Sequence, residues 1–159
     1  MQVRDLMTSN PDTCLPTDTC ADAGEAMRRR RCGFVPIVKS RADRWIIGVV
    51  TDRDLALYLT SVNRPANEVP LKACMTLEPR TVGPDAELEE AATIMERYAV
   101  HRLPVVQDGQ LIGVLSLKDI ARAAQKEWAH VGPHGTEQQM IDIIEAIAVA
   151  QEPADRMRQ

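Results

Sequence analysis

The chain has 159 residues, 45% hydrophobic and 26% charged, with a formal net charge of -4 and a pI near 5.4. That is enough to bury one sizeable core. The acidic balance argues against a nucleic-acid partner, which a basic face would attract. No apolar run follows Met1-Gln2-Val3-Arg4-Asp5, and no stretch nears the roughly 18 apolar residues of a membrane span, so a cytoplasmic protein is expected.

The elements recur. Residues 7–38 align with 75–106 without a gap and share 10 identities in 32 positions, where chance would give about two. Met7-Thr8 falls on Met75-Thr76, and Pro11, Thr13 and Pro16 fall on Pro79, Thr81 and Pro84. Beyond Val38 the offset drops from 68 to 65, because Lys39–Arg44 carries three extra residues. Ile47-Gly48-Val49 then matches Ile112-Gly113-Val114, and Asp54 matches Asp119.

Each copy predicts a short strand at Thr13 or Thr81. A helix follows, with small or apolar residues at i, i+3, i+4 and i+7: Cys20, Ala23, Gly24 and Met27, matched by Leu88, Ala91, Ala92 and Met95. Two strands come next, Phe34–Val38 and Trp45–Val50, matched by Leu103–Val106 and Leu111–Leu115, with Asp108-Gly109 as a hairpin signal. A last helix opens at Thr51 or Ser116. The fold class is thus α/β (α+β): two β-α-β-β-α repeats, 1–61 and 71–127, joined by a linker at 62–70. A three-stranded sheet with helices on one face leaves an apolar surface uncovered, so the copies are expected to pack face to face with pseudo-twofold symmetry. Each buried Met, Leu or Ile contributes about 1.5–3 kcal/mol. After Gly132-Pro133-His134-Gly135 a C-terminal amphipathic helix is expected at 136–150, with Met140, Ile143, Ile144 and Ile147 as an apolar stripe and either a lid or an oligomer contact as its role.

Two strings carry the candidate chemistry. Thr51-Asp52-Arg53-Asp54 and Ser116-Leu117-Lys118-Asp119 each place a hydroxyl before a helix and an acid three residues on. Read as structure, this is a capping box. Read as a site, the helix N-terminus suits a phosphate, and the carboxylate can accept hydrogen bonds from ribose hydroxyls. Spacing alone leaves both readings open.

The doubled set of Gly-hydrophobic-x-Thr/Ser-x-x-Asp strings, each behind a hydrophobic-Pro-hydrophobic strand, resembles the cystathionine-β-synthase (CBS) domain family, whose tandem pair is called a Bateman module. The likeness covers residues 1 to about 127. It implies clefts between repeats for an adenosine-containing ligand: AMP, ADP, ATP, NAD or S-adenosylmethionine. By position it implies that Asp54 and Asp119 hold ribose hydroxyls and that Thr51 and Ser116 meet phosphate or ribose. Thr13 with Val35-Pro36, and Thr81 with Leu103-Pro104, would wall the adenine. His101-Arg102 and Lys118 resemble a phosphate-gripping set, directed at the nucleotide whose ribose the other repeat holds. The first copy has Gly33-Phe34 there and keeps only Arg53, so one site should be the better phosphate binder.

The resemblance implies a regulatory module, not an enzyme, working as a homodimer with an unidentified effector protein. The alternative is a structural dimerisation module with degenerate clefts. Cys14, Cys20, Cys32 and Cys74 form no Cys-x-x-Cys pair and read as free thiols. The Arg28–Arg31 run reads as a solvated helix end. His130 and His134 flank Val-Gly-Pro and cannot form an i, i+4 metal pair. Ser116, His101 and Asp119 lack the Gly-x-Ser-x-Gly elbow of a hydrolase.

Overall fold

The computed structural model describes residues 1–123. In chain order the elements are α1 (Val3–Leu6), β1 (Thr8–Ser9), α2 (Cys20–Arg30), β2 (Phe34–Val38), β3 (Ile46–Thr51), α3 (Asp52–Val62), β4 (Thr76–Leu77), α4 (Leu88–Arg97), β5 (Arg102–Gln107), β6 (Gln110–Ser116) and α5, helical over 117–123. The expected C-terminal helix at 136–150 lies outside the described residues, as do His130 and His134. Among the described residues no helix is long and apolar enough to cross a membrane.

The chain divides into two compact units. One comprises Ser9–Thr81 with Val106–Gly113, and the other Met1–Thr8, Val82–Val105 and, among the described residues, 114–123. In the first unit β2 and β3 pair antiparallel from Phe34↔Thr51 to Val38↔Ile46, with an irregularity between Ile37 and Val38. One sheet face and the apolar stripe of α2 close a core of Cys20, Ala23, Met27, Val35, Ile37 and Val50, joined by Val69 and Leu71. The 62–70 linker is therefore pinned: Cys20 N donates to Val69 O (2.9 Å), and Leu71 N donates to Asp18 O (2.8 Å). In the second unit Val3, Ala91, Met95, Leu103, Val105 and Leu115 fill the interior.

The outer strands depart from the sequence reading. Thr13 and Thr81 open no strand. Each precedes a single bridging residue, Cys14 parallel to Ile37 and Val82 parallel to Val105. The third strand of each sheet comes instead from the start of the opposite copy, β4 joining β2 and β3, and β1 joining β5 and β6. The two sheet orders are β2-β3-β4 and β1-β6-β5. Gly48 makes the first junction possible, because a Cβ there would lie 2.9 Å from Thr76 O.

The repeat is also written in the backbone. Left-handed residues recur at the two offsets found in the sequence: Asn10 (φ 49°) with Glu78 (φ 49°), Arg31 (φ 52°) with Ala99 (φ 50°), and Arg44 (φ 53°) with Gly109 (φ 80°). Only one of these six is glycine, so the left-handed geometry is held mostly by residues that do not favour it. Arg44 is held there by its guanidinium, which donates to Leu111 O (3.2 Å), Asn10 Oδ1 (2.9 Å) and Pro11 O (2.8 Å).

Candidate functional site

Both strings form the capping boxes that their spacing allows. In the first unit Asp54 N donates to Thr51 Oγ1 (3.2 Å), while Thr51 N (2.9 Å) and Thr51 Oγ1 (2.7 Å) donate to Asp54 Oδ2. In the second, Asp119 N donates to Ser116 Oγ (3.3 Å), and Ser116 N (3.0 Å) and Oγ (2.5 Å) donate to Asp119 Oδ2. Each box uses one carboxylate oxygen. Among the described residues, Oδ1 of Asp54 and of Asp119 takes no hydrogen bond, so each half-buried acid keeps an acceptor for something else.

A capping box alone is no mark of a site. Thr19 and Asp22 make the same box at α2, with Thr19 N at 2.8 Å and Thr19 Oγ1 at 2.7 Å from Asp22 Oδ2. There the acid is exposed, and hydrogen bonds from the Thr19 backbone and side chain hold its pKa below the ordinary value. What sets Asp54 and Asp119 apart is partial burial at the end of a sheet strand.

The strand residues are brought close but divide their roles. Cys14 N donates to Pro36 O (3.0 Å) and Val82 N to Pro104 O (3.1 Å), which sets Thr13 and Thr81 beside the Pro36 and Pro104 stretches. Val35 packs in the first core and Leu103 is fully buried, so these two side chains serve the interior. Thr13 is half-buried, whereas Thr81 is exposed.

The junctions between the sheet and its last helix differ most. Leu117 N donates to His101 O (2.9 Å), and the equivalent Asp52 N donates to Gly33 O (3.3 Å). In the second unit this bond draws His101, Arg102 and Lys118 to one end of the sheet, with His101 and Lys118 exposed and Arg102 half-buried. In the first unit the matching corner holds a carboxylate that the sequence reading overlooked. A Cβ on Gly33 would lie 2.2 Å from Asp52 Oδ2 and 2.9 Å from Oδ1, so the Asp52 side chain occupies the space that His101 uses in its own copy. Asp52 Oδ1 also accepts from Arg53 N (2.8 Å). The only hint in the sequence was the pairing of glycine with an acid where the other copy has histidine with leucine.

The remaining candidates are structural. Cys14 and Cys20 are 3% and 2% exposed, and burial pushes the Cys14 thiol up to about 11. Burial and the Cys20 thiol 3.7 Å away push Cys74 up to about 12, the opposite of an activated nucleophile. Cys32 Sγ donates to Phe34 O. No metal-ligating cluster occurs among the described residues. The arginine run is ion-paired: Arg28 with Glu25, and Arg29 and Arg30 together on Asp12. Ser116 Oγ is committed to Asp119, and no hydrogen bond links it to the His101 side chain among the described residues.

The CBS domain model matches twice, over residues 3–61 and 69–126. The chain belongs to the CBS domain family. The CBS domain-containing protein YhcV of Bacillus subtilis is 32% identical over 119 residues, which covers 75% of this chain and 82% of YhcV. Among solved structures, a Vibrio cholerae protein assigned to acetoin utilization (AcuB) is 32% identical with a TM-score of 0.73, covering 81% of this chain and 95% of AcuB. CBSX2 of Arabidopsis thaliana, solved in complex with AMP, is 30% identical with a TM-score of 0.67, covering 79% of this chain and 97% of CBSX2. The fold is that of a CBS pair.

Proposed function

We propose that this CBS pair is a regulatory module that binds an adenosine-containing ligand and reports the bound state to another protein. The observation that carries the reading is the spare Oδ1 on Asp54 and Asp119, each on a carboxylate already oriented by its own capping box. Such an acceptor suits vicinal hydroxyls: it is pre-aimed, so little side-chain entropy is lost on binding. His101, Arg102 and Lys118 supply the complementary charge for a phosphate, with a guanidinium able to grip two oxygens. The AMP complex of CBSX2, a 30% identical relative, supports AMP as the first ligand to try. Binding biases only those conformations that differ in affinity for the ligand, so the output is a population shift read by a partner chain, the module itself acting as a homodimer.

Titration calorimetry with AMP, ADP, ATP, NAD and S-adenosylmethionine tests this. At least one should bind, and Asp54→Ala and Asp119→Ala should each weaken binding by about 1.5–3 kcal/mol. Loss of the cap should cost only about 0.5–2 kcal/mol of stability, so both variants stay folded at room temperature. A protein that binds none of the five is a structural pairing module. Variants that bind as tightly as the wild type remove the ribose role.

A further inference from the structure

The two copies present opposite charge at equivalent corners, and two exchanges cause it: Asp52 stands where the other copy has Leu117, and Phe34 where it has Arg102. At neutral pH the β5–α5 corner carries Arg102 and Lys118 against Asp119, with His101 beside them. The β2–α3 corner carries Asp52 and Asp54 against Arg53. Asp52 does more than change the balance. Its carboxylate lies over Gly33 and accepts from Arg53 N, so the chain places its own anion at the start of α3, where a phosphate would otherwise be drawn. Thr51 Oγ1 already satisfies Asp54 N in the same turn. Leu117, at the matching position of the other copy, has no group that could do this.

We propose that Asp52 is a specificity residue that excludes anionic ligands from the β2–α3 corner, so that phosphate is accepted at the β5–α5 corner alone and the β2–α3 corner suits an adenosine compound with a neutral or cationic 5′ substituent. Gly33 is its necessary partner, because any side chain there would drive the carboxylate off the corner. This inference rests on the adenosine-binding reading above and names the class of ligand for each corner.

Calorimetry of AMP and of 5′-amino-5′-deoxyadenosine, with wild type, Asp52→Asn and Asp52→Leu, tests it. Asparagine keeps the shape and removes the charge, while leucine reproduces the other copy. If either variant is unfolded by circular dichroism, the other supplies the result. The wild type should bind one AMP per chain. Both variants should gain a second AMP, tightened at least about tenfold over any weak second event in the wild type, and the gain should shrink as salt rises. The amino analogue should bind the wild type more tightly than either variant at that second site. One AMP per chain in all three proteins overturns the role of Asp52 and leaves the adenosine reading standing. So do two equal AMP events in the wild type. No AMP or amino analogue bound by any of the three overturns the role of Asp52 together with the adenosine reading beneath it.

Discussion

The two CBS repeats share a backbone closely enough that three pairs of left-handed residues coincide, yet their sheet-to-helix corners differ. One corner holds His101 and Leu117, the other Gly33 and Asp52. The same main-chain hydrogen bond closes both, at 2.9 and 3.3 Å. The difference teaches that one scaffold can carry two different corners: the backbone is matched while the side chains at the sheet-to-helix junction are not. A carboxylate can occupy one corner because its neighbour there, Gly33, has no side chain.

The largest test of scaffold equivalence is the matched pair Met27→Ala and Met95→Ala, at 6% and 1% exposure. Each should cost about 2–5 kcal/mol in a denaturant melt, with Met95→Ala the larger. A cost below 1 kcal/mol at either would show that the two helices are not equivalent core elements. Next comes the corner itself. Arg102→Ala should remove most of the preference for AMP over adenosine, about 1.5–3 kcal/mol by calorimetry, while adenosine affinity stays put. Equal affinity of the wild type for the two would make Arg102 ordinary surface.

The third test uses the left-handed pair. Gly109→Ala should destabilise by about 1–2 kcal/mol, because its φ is +80° and a Cβ would lie 2.3 Å from the Trp45 ring. A neutral outcome in a thermal melt would mean that the ring moves aside freely.

The smallest effect distinguishes the copies by pH. Hydrogen bonds from Arg30 and Arg29 lower the Asp12 carboxyl to about 2. At the matching position the second copy has Arg80. Because the folded value lies below the unfolded one, the unfolded chain binds more protons. The stabilisation is therefore whole above about pH 4 and lost as pH falls toward 2. Partly exposed pairs of this kind contribute under about 1 kcal/mol. Asp12→Asn should flatten that part of the stability profile, and an unchanged profile would remove the pair from consideration.

The capping boxes and the core stripes were legible because their residue types act at fixed short spacing: Thr51 with Asp54, Ser116 with Asp119, and Cys20 with Ala23 and Met27. The strand exchange was not. Thr8–Ser9 and Thr76–Leu77 are two residues each, too short for any periodicity, and their partners are set by the folded chain. The Asp52 contact escaped for a related reason. Next to Thr51 and Asp54 it reads as one more first-turn acid, and only the empty space over Gly33 reveals where its carboxylate rests. Arg44 was hidden too, since a left-handed arginine carries no sequence signal without the three carbonyl and amide oxygens that hold it.

The crossed strands also fix an order in time. The sheet of the first repeat is complete once residue 77 has left the ribosome, and its partners at 48 and 49 are close behind in the chain. The N-terminal strand belongs to the other sheet. Asn10, just past it, donates to Ile112 O at 3.0 Å, so β1 finds its sheet only after β6 has emerged. Closing so long a loop is slow, although Val3 and Arg4, just ahead of β1, already find Ala86 O and Pro84 O before β6 is made.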